Sequence, residues 1–140
     1  MTLIVRQDEM LSKNIAIKEA SLCDAAEILA LQKLAFQTEA ELYGSNIQPL
    51  KQTLKEAQAE FASHLVLKAI EMDSERIIGS VRGRLQESGS CWVGKLMVHP
   101  DFRRRGIGSD LLLALEKAMP AAKRFELFTG ALSKGNIKLY

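Results

Sequence analysis

The residues with the most chemistry in them lie between 96 and 109. Leu96-Met97-Val98-His99-Pro100 ends an apolar run, and Arg103-Arg104-Arg105-Gly106-Ile107-Gly108-Ser109 follows after Asp101-Phe102. Two glycines at the start of a helix let several backbone N–H groups point outward, and the helix dipole adds partial positive charge. Three consecutive arginines deepen that potential, so the pattern points to a phosphate or pyrophosphate. Two familiar phosphate loops are excluded. GxxxxGK[ST] is absent, and GxGxxG fails because Leu111 stands where its third glycine belongs. Seven residues, 99–105, also separate the strand from Gly106, whereas Rossmann glycines follow their strand directly.

Charge distribution supports an anionic partner on this half of the chain. Residues 91–140 hold nine Lys/Arg against four Asp/Glu, and residues 1–90 hold ten against thirteen. No aromatic residues interleave with the arginines as a nucleic-acid stacking platform requires. Three phosphate contacts would in any case hold nucleic acid weakly at physiological salt, so no nucleic-acid partner is expected.

The elements that must position this turn are readable from periodicity. Asn14–Ala20 alternates as a first strand. Ser21 reads as an N-cap, with Asp24 completing an acidic capping box, and the segment from Leu22 to about Tyr43 reads as helix. Gly44-Ser45-Asn46 punctuates it, and Pro49 suits the first turn of a second helix over 49–62. Three strand-like runs follow: His64–Glu71, Arg76–Gln86 and Cys91–Val98. Their short connections imply an antiparallel meander. In the middle run Ile77, Val81 and Leu85 are expected on one face, with Ser80, Arg82 and Arg84 on the other. Arg82 and Arg84 read as a solvent-facing pair, or as a greeting for an acidic acceptor. Gly79 and Gly83 inside a strand suggest close approach of another backbone, or a bulge. A helix over Ser109–Met119 is stopped by Pro120, Arg124–Thr129 alternates as another strand, and Asn136–Tyr140 opens a further helix.

The hexapeptide 103–108 matches [QR]-x-x-G-x-[GA], and its context extends the match. Leu96–Pro100 looks like an L-x-V-x-P strand ending, and Ser133-Lys134-Gly135-Asn136-Ile137-Lys138-Leu139-Tyr140 looks like S-x-x-N-I-x-L-Y. On these residues the chain resembles the GNAT superfamily of acyl-CoA-dependent N-acetyltransferases, over about residues 14–140. The resemblance implies an α+β fold, layered α/β/α, with a mixed, mostly antiparallel sheet splayed around a cofactor cleft.

It further implies acetyl-CoA as cosubstrate and an amine as acceptor. Leu96, Met97 and Val98 would offer backbone groups to the pantetheine arm. Arg104, Arg105, Gly106, Ile107, Gly108 and Ser109 would hold the pyrophosphate, with Arg103 in the motif's leading position. Asn136 looks like the family's cofactor-contacting asparagine, although some members place that residue where Ser133 stands. Tyr140 falls on the tyrosine that protonates the departing thiolate. Glu41 and Tyr43 lie where the family builds one wall of the acceptor site. The family continues past this tyrosine with two more strands, which flank the acceptor site and often build a dimer interface. With Tyr140 as the last residue, the expectation is that cofactor binding survives. The alternative is a catalytically weak or inactive acyl-CoA-binding or interaction module. Exposed sheet edges left by that ending favour a homodimer.

The remaining reactive side chains have plainer readings. His99 reads as a turn-structuring residue and His64 as a strand start. Cys91 is a small core residue, and Trp92 is packing or acceptor-pocket lining. Two distant histidines and two distant cysteines give no metal-ligand spacing, so no metal is expected. At 140 residues, 47% hydrophobic and 26% charged, the chain is one domain's worth, with 1–13 as an N-terminal arm. It shows no membrane-length apolar run and no signal-peptide hydrophobic region, and two cysteines make no disulfide framework. A cytoplasmic location is the expectation.

Overall fold

The structure is a computed structural model that describes residues 14–43 and 52–127; for residues 38–43 and 127 it describes the backbone alone. The N-terminal arm, the 44–46 break, Pro49 and the segment holding Ser133, Asn136 and Tyr140 lie outside the described residues.

Strand β1 (Ile15–Glu19) leads through a short 3-10 turn, Leu22–Asp24, into helix α1 (Ala25–Tyr43). Ser21 N donates to Asp24 Oδ2 at 2.9 Å, and Lys68 Nζ reaches the same oxygen at 2.8 Å. The predicted cap therefore also fastens the helix start to the sheet. Helix α2 (Leu54–Glu60) begins later than the proline suggests. Its start is set by Thr53 and Glu56, a full capping box: Glu56 N donates to Thr53 Oγ1 at 3.2 Å, and Thr53 N donates to Glu56 Oε1 at 2.9 Å.

Strands β2 (Leu65–Glu71), β3 (Arg76–Leu85) and β4 (Ser90–Val98) form the expected meander. Helix α3 (Ile107–Ala118) starts two residues before the predicted Ser109, because Gly106 takes a left-handed φ of 79° and serves as its N-cap. Strand β5 (Arg124–Leu127) returns parallel to β4. Among the described residues the sheet order is β1-β2-β3-β4-β5, antiparallel except for the last pair.

Helices cover both faces. On one, Leu111, Leu112 and Leu115 of α3 pack on Leu67, Ala69, Ile78, Val81, Cys91 and Val93. On the other, Ile28, Leu31 and Ala35 of α1 pack on Val66, Ile77 and Met97. Ile77 and Val81 thus face opposite ways, contrary to simple alternation, and Leu85 is exposed. The reason is a bulge: Ile70 opposes Ile77 while Ala69 opposes Gly79, so Ile78 is an extra residue and the parity of the strand flips there.

The two strand glycines admit α3 rather than marking the bulges. A Cβ on Gly79 would lie 3.2 Å from both Leu111 Cδ1 and the Met97 carbonyl oxygen; one on Gly83 would lie 2.9 Å from Leu115 Cδ1. Gly79 is the stricter of the two, since one of its neighbours is backbone. Gly79→Val adds a good strand former yet should destabilise by about 1–3 kcal/mol through overpacking. Urea unfolding with an unchanged m-value checks this.

Candidate functional site

The basic turn is built from β4 outward. His99 N donates to the Ile78 carbonyl at 2.7 Å, and His99 Nδ1 accepts from Asp101 N at 3.0 Å. His99 therefore organises the turn, as its place before Pro100 suggested. Phe102 is buried beneath the turn, with the Arg105 guanidinium 5.0 Å and the Arg76 guanidinium 5.6 Å from its ring centre. Arg104 (φ 67°) and Gly106 (φ 79°) are both left-handed, and this pair of reversals turns the chain into α3. Asp110 N makes the first helical bond, to the Gly106 carbonyl at 3.0 Å. The amides of Ile107, Gly108 and Ser109 precede it and have no intrahelical acceptor.

Arg103 behaves differently from its two neighbours. Its Nη2 donates to the Ala35 carbonyl at 2.8 Å, bracing the turn against α1. Between these elements lies a solvent-open cleft of about 540 Å³, lined by Ala35, Phe36, Leu96, Met97, Val98, Arg103 and Gly108. Gly108 is helical, and a Cβ there would meet nothing nearer than Val98 Cγ2 at 3.9 Å. Glycine in a helix costs roughly 0.5–1 kcal/mol relative to alanine. Protein packing does not require it here; its bare backbone simply widens the cleft.

The cleft wall is the end of β4. Among the described residues β5 pairs only with Ser90–Val93, while β4 runs on through Gly94–Val98. Between those halves β4 carries a second bulge. Met97 opposes Ser80 and Gly94 opposes Arg82, so Lys95 and Leu96 together face Val81. Lys95 holds a left-handed φ of 51°, which is unusual for a non-glycine residue.

A polar cluster under α2 holds that conformation. Lys95 Nζ donates to Glu60 Oε2 at 2.7 Å and to Gln52 Oε1 at 3.0 Å. Gln52 Nε2 donates to Glu60 Oε2 at 2.8 Å, and Gln32 Nε2 to Gln52 Oε1 at 2.9 Å. Arg82 Nη1 donates to Glu60 Oε1. Burial alone would raise the Glu60 pKa, but the Lys95 hydrogen bond and the Arg82 charge outweigh it and hold the carboxyl below its ordinary value. Burial pushes Lys95 down, and Glu60 offsets this only in part. Arg82 is 1% exposed while Arg84 is open to solvent, so the expected solvent-facing pair does not exist. Helix α2 covers one of the two and leaves the other.

The structure thus brings Leu96, Met97, Val98, Arg103 and Gly108 around one cleft; Arg104, Arg105, Gly106 and Ser109 belong to the adjoining turn and helix start, and Ile107 is buried in the core beneath α3. Glu41 and Tyr43 sit in the last turn of α1, where only the backbone is described; Asn136 and Tyr140 fall outside the described residues. Lys95, Glu60, Gln52 and Gln32 were not anticipated. A signal existed for Gln32, which lies on the buried stripe of α1 between Ile28 and Ala35. Trp92 lies with its ring centre 6.1 Å from that of His64. Cys91 is buried with its Sγ 3.3 Å from Met119 Sδ; burial pushes its thiol up, away from nucleophilic use. Among the described residues no group of three His, Cys, Asp or Glu is placed to hold a metal, and no helix is long and apolar enough to cross a membrane.

Sequence comparison matches residues 27–140 to the acetyltransferase (GNAT) family. The chain belongs to that family. No curated protein matches it. Solved structures of similar fold include the PaiA N-acetyltransferase from Thermoplasma acidophilum in complex with coenzyme A. That one has a TM-score of 0.75 at 16% identity, covering 90% of this chain and 86% of that one. A possible acetyltransferase from Clostridium difficile gives 0.69 at 14% identity, covering 90% and 86%. Glucosamine-6-phosphate N-acetyltransferase from Arabidopsis thaliana gives 0.61 at 13%, covering 89% and 88%. At these identities the likeness shows the shared GNAT fold.

Glu60→Gln in this GNAT chain should cost on the order of 3–5 kcal/mol at neutral pH, because it leaves two half-buried or buried cations unneutralised. The sign with pH follows from a depressed carboxyl pKa. Its stabilisation is complete above the ordinary carboxylate value and fades as pH falls toward the folded-state value. The stability gap between the two proteins, followed by denaturation from pH 7 to pH 3, should therefore narrow on the acid side.

Proposed function

We propose that this GNAT chain transfers the acetyl group of acetyl-CoA to a primary amine by direct attack in a ternary complex. The observation that carries the reading is the joint placement of two features on one cleft. One is the bare backbone of Gly108 in the first turn of α3, two residues after the left-handed Arg104 and Gly106 bring the chain into that helix; the other is the β4 end Leu96–Val98. The fit to an elongated, diphosphate-bearing ligand is chemical. Backbone amides and Arg104 and Arg105 suit the diphosphate, and strand-edge groups suit an amide-containing arm. The coenzyme A bound to the Thermoplasma neighbour supports the same reading.

In this reading the amides of Arg104, Arg105, Gly106, Ile107, Gly108 and Ser109 bind the pyrophosphate, with Arg103 bracing the turn from α1. Leu96, Met97 and Val98 bind the pantetheine arm as an added strand. Acetyl-CoA supplies an activated acyl thioester. The N–H of Met97 or Val98 donates to the acyl oxygen as negative charge develops there. The acceptor nitrogen attacks as the neutral amine, its proton leaving to a base or a water chain. Tyr140 donates a proton to the departing sulfur, a task suited to a phenol of pKa about 10, and Asn136 contacts the cofactor. Glu41 and Tyr43 form part of the acceptor wall.

Acetyl-CoA at a hundred times its Kd should stabilise the chain by about 2.7 kcal/mol, read as a rise in Tm. Gly108→Leu should abolish that rise while leaving the ligand-free Tm equal or higher, since leucine is the better helix former. A rise that survives Gly108→Leu, or none in the unaltered chain, rejects the cofactor site. Tyr140→Phe should slow thiol release from acetyl-CoA across an amine panel without changing the Tm rise. An unchanged rate removes Tyr140 from the mechanism, and no release with any amine leaves the binding-module reading.

A further inference from the structure

Among the described residues Arg82 is the one buried cation, and its hydrogen bonding is half finished. Nη1 donates to Glu60 Oε1, but Nε and Nη2 are buried without an acceptor among the described residues. Those two nitrogens lie side by side on one edge of the guanidinium plane. That edge is the fork whose parallel N–H groups match the two oxygens of a carboxylate. Glu60 cannot serve it, because its other oxygen is taken by Lys95 and Gln52. Buried donors left unmade are costly, and more so on a charged group, so the edge calls for an acceptor that none of the described residues supplies.

Charge narrows what that is. Arg82, Lys95 and neighbouring Arg84 against Glu60 and Glu56 leave one surplus positive charge around the cluster. A single monoanion balances it, which favours a carboxylate over a doubly charged phosphate ester. Position narrows it further. Arg82 pairs with Gly94, two residues before Leu96 on the strand that lines the cleft. On β3 Arg82 is also two residues from Ser80, which opposes Met97, so at about 3.3 Å per strand residue the Arg82 backbone stands roughly 7 Å along the sheet from the proposed acyl-binding backbone.

We propose that the acceptor is an amino carboxylate whose carboxylate is held by Nε and Nη2 of Arg82. Its amine, a few carbons away, is presented to the thioester beside Leu96–Val98. The inference rests on the acetyltransferase reading and names the substrate class for that same site. In the reaction the amine nitrogen bonds to the acyl carbon and the carbon–sulfur bond breaks. One amine proton leaves to a base or water, and the sulfur departs as the coenzyme A thiol; the carboxylate is unchanged. Arg82 acts here as a specificity-determining contact. An amine lacking the carboxylate leaves the fork unpaired, and a site built around such hydrogen bonds rejects that analogue strongly.

The test compares acceptors matched in length, using the full chain and acetyl-CoA: 3-aminopropanoate, 4-aminobutanoate and 5-aminopentanoate against propylamine, butylamine and pentylamine, with 2-aminoethyl phosphate as the phosphate arm. At least one amino carboxylate should exceed its amine counterpart in kcat/KM by a factor of about 100 or more. Arg82→Lys keeps the charge but loses the fork. It should reduce that ratio to below about threefold, mainly through KM, while the acetyl-CoA-induced Tm rise persists. Equal rates within each pair, a preference for the phosphate, or an undiminished ratio in Arg82→Lys would overturn the proposal. Should Arg82→Lys fail to fold, the unaltered chain saturated with coenzyme A decides. The best carboxylate of the panel must raise Tm where its amine counterpart does not, and its failure to do so overturns the proposal. Loss of the acetyl-CoA-induced rise itself would instead reject the acetyltransferase reading on which this one rests.

Discussion

One carboxylate carries the polar side of this fold. Glu60 sits at the end of the seven-residue helix α2 and faces Arg82 with one oxygen and Lys95 with the other. Two strands and a helix therefore meet at one negative charge. A helix this short has little stability of its own, so its place over the sheet comes from contacts of this kind and from buried Ala57. Lys95 depends on the same charge. Its left-handed backbone is strained by about 1–3 kcal/mol, and such strain persists only where the surroundings over-determine it. The ammonium fixed on Glu60 and Gln52 is what over-determines it. The bulge in turn bends β4 between the half that pairs with β5 and the half that lines the cleft. The cleft-lining strand end is thus aimed by an ion pair on the opposite flank of the sheet from α3.

The two faces of the sheet divide the work by polarity. The α3 face is apolar and tight, with Gly79 and Gly83 letting the leucines of α3 settle onto β3. That close packing fixes the height of the α3 N-terminus, and with it the amides of 107–109 relative to Leu96–Val98. The proposed diphosphate site, made of backbone, would need such rigidity, because its donors cannot reorient one by one. The α1/α2 face is mixed, with an apolar cluster near Met97 and the Glu60 cluster beyond it. Arg103, reaching across to the Ala35 carbonyl, ties the two faces together at the mouth of the cleft.

What could be read from sequence follows from how local each determinant is. The turn and its glycines are contiguous, so the reversal at 103–108 and its link to the preceding strand were legible. The meander was legible because tight turns force neighbouring strands. Helix boundaries slipped where a cap outranked a breaker: Thr53 and Glu56 over Pro49, and left-handed Gly106 over Ser109. The parity of β3 was misjudged because one extra residue at Ile78 reverses every side chain beyond it, and alternation carries no mark of a bulge. Arg82 was misplaced for a different reason. Its environment is made by Glu60, 22 residues away, and shared with Lys95, which is 35 residues from Glu60. Nothing local to β3 announces that a helix will cover that position.

Burying Arg82 is a poor way to gain stability. A buried ion pair seldom outperforms well-packed apolar residues of the same volume, because desolvation consumes most of the attraction. Here the balance is worse than usual, since Glu60 answers only one end of the guanidinium and a full edge has no acceptor among the described residues. The neighbouring core shows that β3 accommodates apolar burial readily: Val81 beside it is wholly enclosed on the other face. An arginine kept under such terms, two residues along β3 from the Ser80 that opposes Met97, makes physical sense when a partner for its open edge arrives with the proposed substrate. The unpaired edge is then a preorganised donor pair, already desolvated and already oriented. Its cost in the ligand-free fold becomes selectivity when the ligand binds.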